Sequence, residues 1–153
     1  MRITFTTIAL TLLNLSILAQ DNLRFTPKLG VCTSIKNHKI VASAGFDYIE
    51  EAVSRFLIPD QSEEEFEKNM AILKESAIPI RACNGFLPGS LKTTGPEIQH
   101  DAILKFAEIA FRRAQIAGIS RIVFGSSGSR NFPEGFNPAI AWEQFRELLK
   151  KMG

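Results

Sequence analysis

A marked excess of charge of either sign is missing from this chain. Its 18 Lys and Arg stand against 16 Asp and Glu, a formal net charge of +2 over 153 residues. So small an imbalance creates no field that would gather a nucleic acid or an anionic membrane surface, and neither is expected as a partner. Histidine is scarce as well: His38 and His100 stand far apart and share no metal-ligating spacing. The two cysteines, Cys32 and Cys83, are too few for a disulfide framework. Neither has a histidine in a nucleophile pattern, so thiol catalysis has no support. Beyond residue 19 no apolar run approaches the ~20 residues that a bilayer span requires.

What is present begins with a leader. Arg2 supplies one positive charge, residues 3–18 are apolar apart from hydroxyl side chains and Asn14, and polar sequence starts at Gln20 after Ala19. The apolar stretch is too short to span a membrane, and this pattern reads as a secretory signal peptide over residues 1–19. The expected product is an exported chain, periplasmic or secreted, with no membrane anchor once the leader is cut. Residues 20–153 show no linker or shift of composition and read as one unit.

Helical and strand periods alternate along that unit. Residues 28–33 form a β-type run. Asn37 is placed to cap a helix carrying Ile40, Val41 and Ala44 on one face, stopped by Gly45. A second strand at 46–50 follows. Ser62 and Glu65 have capping-box spacing before Phe66, Met70, Leu73 and Ala77, which recur at helical intervals. A third strand at 79–84 enters a long loop, and a helix from about Glu97 to Ala117 buries Ile103, Phe106, Ala107, Ala110 and Ala114 before Gly118. A fourth strand at 121–124 breaks into a Gly/Ser loop, and Asn137-Pro138 opens the last helix. The order β-α-β-α-β-α-β-α predicts an α/β fold on a parallel sheet.

Three stretches carry a family likeness. Residues 45–50 (GFDYIE), residues 83–97 (CNGFLPGSLKTTGPE) and residues 124–136 (FGSSGSRNFPEGF) resemble the second, third and fourth strands, with their loops, of the xylose-isomerase-like TIM barrels. That family includes sugar phosphate isomerases and epimerases. The resemblance implies the first four βα units of a (β/α)8 TIM barrel, an incomplete barrel, because a full one takes about 250 residues. In that strand order one strand separates Cys32 from Cys83, so their backbones stand about 9–10 Å apart and both thiols are expected free and in the core.

By the same resemblance the reaction is metal-assisted proton transfer next to a carbonyl, on a small sugar or sugar phosphate. A divalent metal belongs to the full-length family. Its ligands, and the catalytic acid and base, come from later strands, so none is expected in this chain, which alone is expected to be inactive. The candidate substrate-binding residues are Glu50 and Asn84 at strand ends, Lys92 in the third loop and Arg130 in the fourth. Gly125 and Gly128 are expected to let loop backbone approach closely. They suggest a phosphate cradle, yet lack the spacing of a P-loop and have no helix directly behind them. Glu51, on the other side of the pleat, reads as structural. The alternative is a non-catalytic half-barrel that associates with itself or a second half through exposed sheet edges. An apurinic-site endonuclease role, known in the same family, is opposed by the near-neutral charge.

Overall fold

A computed structural model describes residues 26–153; the expected signal peptide lies outside the described residues. Strands β1 (Gly30–Cys32), β2 (Tyr48–Ala52), β3 (Ile80–Asn84) and β4 (Arg121–Ile122) form one parallel sheet in that order. The intervening helices are α1 (His38–Ser43), entered through a 3-10 turn at Ile35–Asn37, then α2 (Val53–Phe56) and α3 (Glu63–Glu75). Next come α4 (His100–Ile116), α5 (Ser127–Arg130) and α6 (Pro138–Met152).

Parallel neighbours that follow one another in sequence, joined by crossovers of the usual right hand, place their helices on one face of the sheet. Burial along β2 has that one-sided pattern. Ile49 and Glu51 are buried, as is Val53 just beyond, whereas Tyr48, Glu50 and Ala52 are half-exposed. The buried side forms one core with Phe66 of α3, with Ile103, Ala107, Ala110 and Ala114 of α4, and with Leu148 of α6. On the other side Cys32 and Arg121 are exposed and Val123 is 47% exposed.

Several boundaries move from their expected places, each for a local reason. β2 runs two residues later than expected because Phe46 and Asp47 are spent on the turn, where the Asp47 carboxylate accepts Leu29 N–H (2.9 Å) and Lys28 Nζ (2.9 Å). The first helical stretch is capped by Ser34, whereas Asn37 turns back to donate to Thr33 Oγ1 (2.9 Å). As a result Val41 is buried while Ile40 and Ala44 face outward. Ala77 lies past the end of α3 and is exposed. α4 starts at His100, not Glu97, because Lys92 and Gln99 close the preceding loop: Gln99 N donates to Lys92 O (2.9 Å) and Lys92 N to Gln99 Oε1 (3.0 Å). Gly45 (φ 82°) and Gly118 (φ 70°) take the left-handed conformation that ends their helices.

Ser62 caps α3 as expected, accepting Glu65 N–H (3.4 Å), but only half the capping box forms because the Glu65 carboxylate pairs with Lys68 instead. Glu63 beside it meets two cations. Its carboxyl is held below its ordinary 4.5, first by hydrogen bonding to Arg112 and then to Arg113. A carboxylate lowered in the folded state contributes stability above its unfolded value and loses it as the pH falls through the folded one. Urea midpoints are therefore expected to drop as the pH goes below about 4.5, and Glu63→Gln is expected to flatten that slope. A variant titrating in parallel with the parent would show that Glu63 contributes nothing there.

Candidate functional site

On the open face of the sheet the register sets Cys32 beside Glu50, and Ala52 beside Asn84. Side chains at paired positions of a parallel sheet leave by the same face. Asn84, at the end of β3, donates from Nδ2 to Glu50 Oε1 (2.8 Å) and lies 3.0 Å from Cys32 Sγ. Two of the expected binding residues, Glu50 and Asn84, are thus brought into one hydrogen-bonded pair. Glu50 is not the last residue of its strand, because β2 continues through Glu51 and Ala52. It still reaches the carboxyl end of the sheet, level with the end of β1. Cys32 belongs to the same cluster, which the sequence did not signal. The expectation that it sits in the core is corrected: its strand lies at the sheet edge and its thiol is exposed.

A carboxylate that accepts and an amide that can donate and accept, both half-exposed, form a small polar platform for hydroxyl groups. Glu51 faces the opposite way and is buried, accepting Ile35 N–H (2.7 Å), Ala52 N–H (2.8 Å) and Arg55 Nε (2.9 Å). Its role is to hold the β1–α1 connection against β2.

Lys92, Gly128 and Arg130 lie on a different construction. The loop after β3 and the one after β4 are laced together. Leu87 N donates to Ser126 Oγ (2.9 Å), Lys92 Nζ to Gly128 O (2.8 Å), Thr93 N to Ser129 O (3.0 Å) and Thr94 Oγ1 to Arg130 O (2.8 Å). Lys92 thereby ties loop to loop rather than standing free for a phosphate. Gly128 does make a close backbone approach: a Cβ there would lie 3.4 Å from Gly89 Cα. Gly125 does not, since a Cβ would meet nothing within 4 Å.

A short helix, α5, occupies the loop where none was expected. Ser126, with φ 33°, turns the chain into it, and its carbonyl accepts the N–H groups of Ser129 and Arg130. Those two N–H groups are thereby consumed within the turn and do not face a ligand. Arg130 turns toward α6, its guanidinium 6.0 Å from the Phe145 ring centre.

Among the described residues no group of three His, Cys, Asp or Glu side chains is arranged to hold a metal. His100 contacts Thr93 O (3.0 Å) at the start of α4, and His38 is buried with its Nδ1 unpartnered. Both cysteines are free, and their strands send them to opposite faces: Cys32 is paired with Glu50 and Cys83 with Glu51. Burial, and secondarily the charges of Glu51 and Glu50, push the Cys83 thiol up to about 12. One thiol per native chain is expected to react with a maleimide, at Cys32, and the second only after unfolding. Peptide mapping that found Cys83 labelled in the native protein would contradict the placement of β3.

Among the described residues, no helix is long and apolar enough to cross a membrane. Compared with known protein families and with curated proteins, the chain matches none.

Proposed function

We propose that these four βα units are the first four of a (β/α)8 barrel of the sugar isomerase and epimerase kind, with Glu50 and Asn84 as polyol-binding side chains at its mouth. The observation that carries this is the Glu50–Asn84 pair (2.8 Å) at the carboxyl end of a sequentially ordered parallel sheet. Ligands of parallel α/β folds bind at that end.

A diol approaching the pair would donate its hydroxyl protons to the Glu50 carboxylate and to the Asn84 amide oxygen, since the Asn84 N–H groups already face Glu50 and Cys32. This orients a carbon chain without transforming it. Proton transfer next to a carbonyl needs a base and an acid on either side of the reacting carbon. On this reading the base, the acid and any metal ligands belong to strands beyond these four. Closing the barrel and completing the chemistry would call for four more βα units, wherever they are encoded.

Amide spectra titrated with a pentitol are expected to shift at Cys32, Glu50 and Asn84, and Glu50→Ala is expected to abolish those shifts. Keto-sugar interconversion by the 153-residue chain with added divalent cation is expected to be absent. Turnover would overturn the assignment of proton transfer to residues elsewhere. Silence at Asn84 would overturn the binding role.

A second reading, a non-catalytic half-barrel that pairs, is favoured by a separate observation. β1 and β4 are both edge strands, and the face they share exposes Val123 and Arg121. Unpaired parallel edges are templates for association. Light scattering coupled to size exclusion would reveal a dimer on this reading, whereas a monodisperse monomer would oppose it. Small-molecule chemistry is proposed in the first case, and in neither is a nucleic acid or a membrane the partner.

A further inference from the structure

The aromatic side chains of α6 and of the loop before it do not all enter the core. Trp142 is 70% exposed and Phe132 is 40% exposed. With Thr94, Arg130, Pro138, Ala141 and Phe145 they line a cleft of ≈ 440 Å³, within the size range of small-molecule sites. None of these residues belongs to the Glu50–Asn84 pair, so a site in this cleft is independent of the polyol reading.

The walls of the cleft are fixed by tertiary hydrogen bonds. Gln144 of α6 exchanges two bonds with the backbone of Gly95, accepting its N–H (2.8 Å) and donating to its carbonyl (3.0 Å). Thr94, the next residue back, donates to Arg130 O (2.8 Å). One short segment thus holds α6 on one side and α5 on the other. Trp142 and Phe145 lie 6.3 Å apart, centre to centre, and Phe132 is steadied by Phe136 at 5.8 Å.

Beside these apolar walls, in the open cleft, the structure sets one cation. The Arg130 guanidinium sits over Phe145, and among the described residues it has neither an ion pair nor a hydrogen-bond acceptor. A guanidinium parked on a ring keeps its outer N–H groups available and presents them as a fork that matches a carboxylate. Flat aromatic walls favour a flat aromatic body.

From this geometry we infer that the cleft between α5 and α6 is a binding site for a planar aromatic carboxylate. The ring stacks among Phe132, Trp142 and Phe145, and the carboxylate meets Arg130.

Trp142 is the single tryptophan of the chain, so its emission reports on the cleft directly. Titration of the full chain with benzoate is expected to change that emission saturably. Benzamide, the uncharged isostere, should bind about tenfold more weakly, the difference expected from losing a charge-assisted bidentate contact. Arg130→Gln should weaken benzoate about tenfold while leaving benzamide unchanged. Because Arg130 is exposed, the variant should fold, and amide shifts at Thr94 and Ala141 on adding benzamide would confirm an intact cleft. Equal binding of the two probes, no effect of Arg130→Gln, or no saturation would overturn the assignment. So would a concentration-dependent burial of Trp142 without any probe, which would identify a second copy of the chain as the occupant.

Discussion

Replacing Arg113 with methionine is expected to lower the stability of the protein by about 3–5 kcal/mol, a loss comparable to much of a small domain's margin. Arg113 is 1% exposed, inside the apolar stripe of α4. From there it donates to the carbonyls of Leu57 (2.8 Å), Ile58, Gln61 (2.9 Å) and Ser62 (3.1 Å), and it pairs with Glu63 (3.0 Å). Its guanidinium also lies 5.0 Å from the Phe66 ring centre.

The segment it gathers contains Ile58, a β-branched residue at φ 39°. A left-handed β-branched residue costs on the order of 1–3 kcal/mol and persists only where neighbours hold it. Methionine would fill much of the volume but leave the buried Leu57 carbonyl without a donor and the Ile58 carbonyl with only the Gln61 N–H (2.9 Å). Lysine is expected to recover less than half of the loss, because a single ammonium cannot span acceptors that a planar fork reaches from both sides. Urea unfolding with an unchanged slope and a lowered midpoint is the expected result. A methionine variant as stable as the parent would mean that water or local rearrangement satisfies those carbonyls.

Glu51→Ala ranks second, at about 3 kcal/mol. The Glu51 carboxylate is buried at 1% exposure, and its two oxygens serve two backbone donors as well as Arg55. Most of the expected cost comes from the buried Ile35 N–H (its acceptor removed, at ~1–3 kcal/mol) and from the space the side chain vacates. The ion pair with Arg55 (2.8 Å) contributes little by itself, since Arg55 is largely exposed and screened. Glu51→Gln, which keeps an acceptor oxygen, is therefore expected to cost about half as much. Amide exchange at Ile35 should accelerate in the alanine variant ahead of global unfolding. If exchange there were unchanged, the carboxylate would not be what secures the β1–α1 connection.

These two residues mark how far the sequence carried and where it stopped. Glu51 was legible as structural because alternation along a strand assigns each residue to a face, and Glu50 and Glu51 must leave by opposite ones. Ser62 and Asn137 were legible as caps for a similarly local reason; Asn137 accepts Ala139 N–H (2.9 Å) behind Pro138. Arg113 was not legible. It sits between Ala110 and Ala114 on the core stripe, and nothing within a helical turn supplies its partners, which lie some fifty residues earlier.

By itself the sequence determined the alternation of the four strands with α1, α3, α4 and α6, though not the short helices α2 and α5, as well as the stops at Gly45 and Gly118 and the parallel sheet. Each follows from periodicity and backbone preference acting over a few residues. The separation of the expected site residues was decided only by tertiary structure. Glu50 and Asn84 meet because strand register puts them on one face as diagonal neighbours, with Asn84 level with Ala52, whereas Lys92 and Arg130 are drawn off by hydrogen bonds between two loops and by the aromatic face of α6. The Gly/Ser loop after β4 has the composition of an anion cradle. The N–H groups of Ser129 and Arg130 are committed to the α5 turn, and the carbonyls of Gly128, Ser129 and Arg130 to the neighbouring loop, the latter through long-range contacts that no local pattern records.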